Sequence, residues 1–269
     1  MITELEKLIP QAKDLFEPKE LLILDNLLQS ILISNTEKFT NSINGKLVLK
    51  GSTAEIVKPS LRSFYNSKQY QNSIAKYLIN VKNISDEKLN LYDKNGLKIE
   101  RSQISQNQKI AINEHLDSLN ENGLNANLNQ PLRNIIYQTI NKGASLTDIK
   151  ESLKKYIAQG KDTSGKLSSY INDIAIKGAD AYTSIIDQKI VDKYKDKITG
   201  YIVAGSLIET SSLQCRYCIE KLDRKITKED FKIIKEKYND KMIEGTTFEN
   251  LPTFKLHYRC RHSFTPTLS

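Results

Sequence analysis

Tryptophan is absent from this chain of 269 residues, which holds only three cysteines, three histidines, six prolines and two methionines. Each scarcity excludes something. Three cysteines is an odd number, and none precedes residue 215, so a disulfide scaffold is excluded and assembly inside a cell is expected. Hydrophobic residues are 39% of the chain, low for one thick core, so an extended, helix-rich body with much solvated surface is expected. Long apolar runs are missing too. The richest stretch, "LLILDNLLQSILI", carries Asp25, Asn26, Gln29 and Ser30 and is too short and too polar to span a bilayer. The start, "MITELEKLIP", lacks the basic residues and apolar run of a secretory leader. No membrane partner is expected. A Gly-rich phosphate loop is missing as well, because "GKLVLKGS" at Gly45 lacks its spacing.

What is present is charge and helical periodicity. The formal net charge is +8, which suits contact with a polyanion, although the lysines are spread through the chain rather than clustered. The first two-thirds read as helix. "ELEKLIPQAKDLF" is amphipathic and interrupted by Pro10. From Pro18 to about Phe39, Leu21, Leu22, Leu24, Leu27, Leu28, Ile31 and Leu32 fall close to helical spacing, and another apolar run follows Pro59. Residues 83–104 are weaker, with a turn signal at Asn95-Gly96 that implies a short hairpin or a loop. Helix resumes at Ser105 and runs to about Glu121. The Asn-rich "ENGLNANLNQP" then reads as a linker. Beyond Pro131, Ser145 with Asp148 marks a helix start, and a long helix is expected from Ser164 to about Tyr194. His115 lies within a helix and is assigned no function.

The period then changes. "YIVAGSLIET" alternates β-branched and aromatic residues as a strand does. "ITKEDFKIIKEKYND" follows as a short helix capped by Thr227 and Asp230, and the chain closes in a turn and a strand. The fold class expected is mainly α with a small α+β C-terminal domain. A helical N-terminal region covers 1–125. A second domain covers 130–269, with helices over 131–195 and an α+β segment over 197–269.

That last segment holds the chemistry. All three cysteines and two of the three histidines fall in "QCRYC" and "LHYRCRH". Thiolate and imidazole are the donors zinc prefers in a tetrahedral shell, and a Cys-x-x-Cys turn lets two sulfurs face one ion. Cys215, Cys218, His257 and Cys260 would make a closed structural site. His262 is a fifth candidate that could replace His257 or support it. Buried thiols, a redox pair or a relic site would use the same residues. Catalytic zinc patterns fail on spacing: no His is followed two places later by Glu, and His-Glu-x-x-His is absent. No enzyme activity is expected.

The order of long helix, strand, Cys-x-x-Cys, Leu-Asp-x-Lys, and Pro before His-x-x-Cys-Arg resembles the C-terminal domain of phage minor head proteins of the Mu F type, the head morphogenesis proteins. Cys215, Cys218, Leu222, Asp223, Lys225, His257, Cys260 and Arg261 match that pattern, with one extra residue before Leu222 and with Pro252 set further from His257. Arg224 stands at the motif's Gly, Tyr258 at its second Pro, and His262 at its last Cys. The matching part covers about residues 160–269. The resemblance implies a virion component near the portal, assembled in the host cytoplasm. Its partners would be the portal protein, other capsid proteins and packaged DNA held without sequence reading. The competing reading is a nuclease or phage-borne toxin using the Cys/His cluster. Related domains in toxin-bearing proteins precede an extra effector domain, and none is expected after Ser269.

Overall fold

A computed structural model describes residues 15–44, 46–157, 165–205, 207, 209, 211–257, 260 and 262–268. The amphipathic segment expected at residues 4–16 lies almost wholly outside these. Helix dominates, with short strands concentrated near the C-terminus, as expected for a mainly α chain with a small α+β part. Among the described residues, no helix is long and apolar enough to cross a membrane.

The chain forms two compact units. One takes described residues of 11–79 and 114–176, the other those of 80–113 and 177–269. Residues on both sides of the expected boundary at 125–130 therefore share a unit.

In the first unit, α1 (Pro18–Lys38) begins at a proline, whose missing N–H is harmless in the first turn. It buries Leu21, Leu24, Leu28 and Leu32 along one stripe. A hairpin follows, β1 (Thr40–Ile43) against β2 (Lys46–Leu49), antiparallel, with Ile43 opposite Lys46 and Asn44 at φ 51°. Helix α2 (Thr53–Tyr65) starts six residues before Pro59, which had marked its expected beginning. The Glu55 carboxylate accepts from the Ser52 N–H at 2.6 Å and sets the start there, so the proline falls inside the helix.

Helix α3 (Lys68–Lys94) continues through the region expected to be weak, and only Asn95-Gly96 turns, with Gly96 at φ 77°. No strand forms there. Helix α4 (Ser105–Leu119) gives way directly to α5 (Glu121–Asn141), so the "ENGLNANLNQP" linker is a helix instead. Asn120 caps it by accepting from the Gly123 N–H at 3.0 Å, and Leu124, Leu128, Leu132, Ile136 and Ile140 bury one face. The asparagines occupy the other faces, where Asn125 and Asn127 donate to carbonyls one turn back. Helix α6 (Leu146–Ile157) starts at the Ser145–Asp148 cap, as expected. Helices α1, α2, α5 and α6 pack in a ring, each against two of the others.

The second unit is organised by the C-terminal part of α7 (Lys166–Lys193) and a three-stranded antiparallel sheet. Strand β3 (Ile198–Ala204) is central, flanked by β4 (Lys225–Thr227) and β5 (Ser263–Leu268). It starts earlier and ends earlier than the expected 201–210. Pro266 lies on the edge strand β5, where its missing N–H interrupts no inner ladder. Between β4 and the final strand runs α9 (Lys228–Tyr238), and the single-turn α8 (Leu213–Arg216) lies between β3 and β4. The Thr227–Asp230 capping box opens α9, as read from the sequence. One apolar cluster joins Val191, Tyr201, Val203, Cys218, Ile226, Phe231, Leu251, Leu256 and Phe264.

Candidate metal centre

The sheet brings the two cysteine-bearing stretches together. After β3 the chain enters α8, where the Ser212 hydroxyl accepts from the Cys215 N–H at 3.3 Å. This cap points the first turn inward and buries Cys215 and Cys218. A wide turn over Tyr217–Lys221 follows, and then Asp223 and Arg224 both take left-handed backbone, at φ 47° and 66°. The reversal is held on each side: the Arg224 N–H donates to the Cys218 carbonyl at 3.0 Å, and the Arg224 carbonyl accepts from Val203 N–H at 2.7 Å. The arginine side chain also donates to the Gly205 carbonyl at 2.9 Å.

The second stretch arrives from the other side of the sheet. Lys255, at φ 62°, turns the chain after α10 (Leu251–Phe254), and the Leu256 carbonyl accepts from Ile243 N–H at 3.3 Å. The Cys260 N–H donates to the His257 carbonyl at 3.0 Å, which holds these two residues close together. Ser263 pairs with Ala204, so β5 carries the stretch back beside the end of β3.

Three donor atoms converge. Cys215 Sγ lies 3.1 Å from His257 Nε2 and 3.6 Å from Cys260 Sγ. The donor atoms of Cys215, His257 and Cys260 all fall within 4.8 Å of one another, close enough to hold a metal ion. For bond lengths of about 2.3 Å to sulfur and 2.0–2.1 Å to nitrogen, a tetrahedral shell has edges of roughly 3.6–3.8 Å. The sulfur pair already matches that edge. All three cysteines are free thiols.

Their protons are unequal. The contact with Cys260 holds the Cys215 thiol below its ordinary value, against the effect of burial. The same contact, and then burial, push the Cys260 thiol up. Burial raises the Cys218 thiol, with the two other sulfurs adding to it.

Of the five residues singled out from the sequence, the structure gathers Cys215, His257 and Cys260 and leaves Cys218 and His262 outside that three-donor group. Cys218 sits fully buried in the apolar cluster. His262 is 3% exposed, with Nδ1 3.8 Å from Cys260 Sγ and with Nε2 lacking a hydrogen-bond partner among the described residues.

Sequence reasoning missed the polar clamp beside the site. Lys255 Nζ lies 2.9 Å from Asp180 Oδ2 and donates to Ser184 Oγ at 3.1 Å, while Ser263 Oγ donates to Asp180 Oδ1. These contacts tie Lys255 and Ser263, which lie on either side of His257 and Cys260 in the chain, to α7. A second buried cluster holds α3 to α7, with Lys88 Nζ 2.5 Å from Asp187 Oδ2 and Tyr92 OH donating to Oδ1 at 2.7 Å. Nothing in a single charged residue at a helical position announces such pairing, since most such residues stay solvated.

Comparison of the chain with models of protein families, with characterised proteins and with solved structures finds no match.

Proposed function

We propose that this chain is a phage minor head protein of the Mu F type, a structural component near the portal that assists head assembly and contacts packaged DNA without reading its sequence. The observation that carries this reading is the convergence of Cys215 with His257 and Cys260, the two ends of the motif on which the resemblance rests. The backbone adds support. Arg224 stands where the motif has glycine, and its φ of 66° is the conformation that favours glycine.

The ion best suited to these donors is zinc, which takes thiolate and imidazole in a closed tetrahedral shell. Its role here is structural. The donors come from the short helix α8 and from the segment that precedes β5, which the sheet holds at close quarters, and binding would join them as a clasp. A structural zinc contributes folding free energy outright, on the order of 10 kcal/mol or more in small peptides. A thin three-stranded sheet is the kind of element that needs such a clasp.

Mass spectrometry of purified virions from the phage or prophage that encodes the chain tests the assignment. The chain should appear at low copy relative to the major capsid protein. Its absence from intact particles would remove the virion reading and favour an enzyme built on the same Cys/His cluster.

A further inference from the structure

We infer that His262, rather than Cys218, closes the metal shell, so that the site is made of two thiolates and two imidazoles: Cys215, Cys260, His257 and His262. The inference rests on the metal reading above and says which residues complete it.

Three donors are already grouped, and two side chains compete for the fourth place. Neither lies within 4.8 Å of all three at once, so either has to move. The distances favour the histidine. Its Nδ1 is 3.8 Å from Cys260 Sγ, close to the roughly 3.6 Å that separates sulfur from nitrogen on a tetrahedral shell. His262 immediately precedes β5, whose register is held by the Ala204–Ser263 pair, so its backbone is anchored and a turn of the ring about its own side-chain bonds is the movement required.

The state of the ring gives an independent reason. His262 is 3% exposed, and its Nε2 has no hydrogen-bond partner among the described residues. Burying an imidazole costs free energy when its nitrogens go unused, so a ring placed this way lacks a partner that the protein itself does not supply. Nδ1 is the nitrogen already near Cys260 Sγ and Nε2 the one without a partner, so a cation at the three-donor group would satisfy the ring fully only if the ring turns to present Nε2.

Cys218 is placed for packing. It is fully buried and belongs to the apolar cluster of Tyr201, Ile226, Phe231 and Phe264, and its carbonyl anchors the Arg224 reversal. Cys260 packs against the same cluster, so Cys218 stands near the site, but its own sulfur is wholly enclosed by apolar side chains. Charge points the same way. Two thiolates neutralise a divalent ion, whereas three leave a net negative charge beside apolar side chains, which is costly to bury.

Cobalt(II) reports the ligand set through its thiolate-to-metal charge-transfer band. The full-length chain is titrated with cobalt in competition with a chelator, alongside Cys218→Ser, His262→Ala and His262→Cys, with circular dichroism as the check on folding. Cys218→Ser should keep the band and bind within about threefold of the native chain. His262→Ala should weaken binding by more than about 100-fold, beyond the 10–100-fold seen for residues outside the shell. His262→Cys should restore binding with a band larger by about half, as two thiolates become three. If His262→Ala fails to fold, the gain of intensity in His262→Cys carries the test. Loss of about a third of the band in Cys218→Ser, with His262→Ala binding normally, would overturn the inference. A native chain that binds no cobalt removes the metal reading and this inference together. A chain that binds it tightly yet is missing from virions overturns only the phage assignment.

Discussion

Asp25 sits in the buried stripe of α1, 4% exposed, among leucines. Its Oδ2 accepts from Ser168 Oγ at 2.5 Å, and its Oδ1 has no hydrogen-bond partner among the described residues. Burial lifts its pKa from 3.8 to about 6, with the Ser168 hydrogen bond opposing. The native value lies above the unfolded one, so the folded chain holds this proton more tightly. The contribution of Asp25 to stability is therefore greatest below pH 4 and is lost as the pH rises through about 6. Asp25→Asn should raise the melting temperature at pH 8 and change it little at pH 4. A lower melting temperature at pH 8 would mean that the charge is used by the fold. In the sequence, Asp25 marks only that an apolar run is too polar for a membrane; its burial depends on Ser168, 143 positions away. The metal candidates were legible for the opposite reason. Rare residue types crowded into two short stretches stand out in one dimension, while the choice among five donors depends on rotamers and register.

Elements were legible where spacing or a cap marks them. The stripe of α1, the Ser145–Asp148 start of α6, the extent of α7 and the Thr227–Asp230 box of α9 all follow from local pattern. Composition misled where it was set against period. Asparagine and a proline made residues 121–131 read as a linker, yet leucines four apart bury a continuous face there. The hairpin β1–β2 was marked by Asn44-Gly45, a strong turn dipeptide, which a reading of "GKLVLKGS" for phosphate spacing alone overlooks. The sheet's tightest dependence is on Gly200. A Cβ there would stand 2.6 Å from the Ile226 carbonyl oxygen, on backbone that cannot turn aside. Gly200→Ala should separate β4 from β3 and destabilise the fold by about 1–3 kcal/mol, the usual effect of overpacking. Denaturant titration reads this directly, and an unchanged midpoint would show that the strands shift freely. The same pairing leads into the Arg224 reversal beside Cys215, so the variant should also weaken cobalt binding.

At the scale of the whole molecule, the property at issue is a charge of +8 carried by 40 Lys and Arg against 32 Asp and Glu. Such a field attracts phosphates from any direction and has no means of distinguishing bases, because sequence is read by side chains aimed at base edges. Under the proposed role in the virion, this gives a specific expectation. Fluorescence anisotropy with duplexes of unrelated sequence should return affinities equal within about threefold, with log affinity falling linearly as log salt rises, at a slope of about −0.9 for each phosphate neutralised. The lysines are dispersed, so the contact should be dispersed too. Single Lys→Ala changes should each reduce the slope by no more than about one unit, and none should abolish binding. A single substitution that removes binding would reveal a localised site in place of a diffuse field. No binding at low salt would leave assembly contacts with the portal as the proposed role, with the positive balance acting on solubility rather than on DNA.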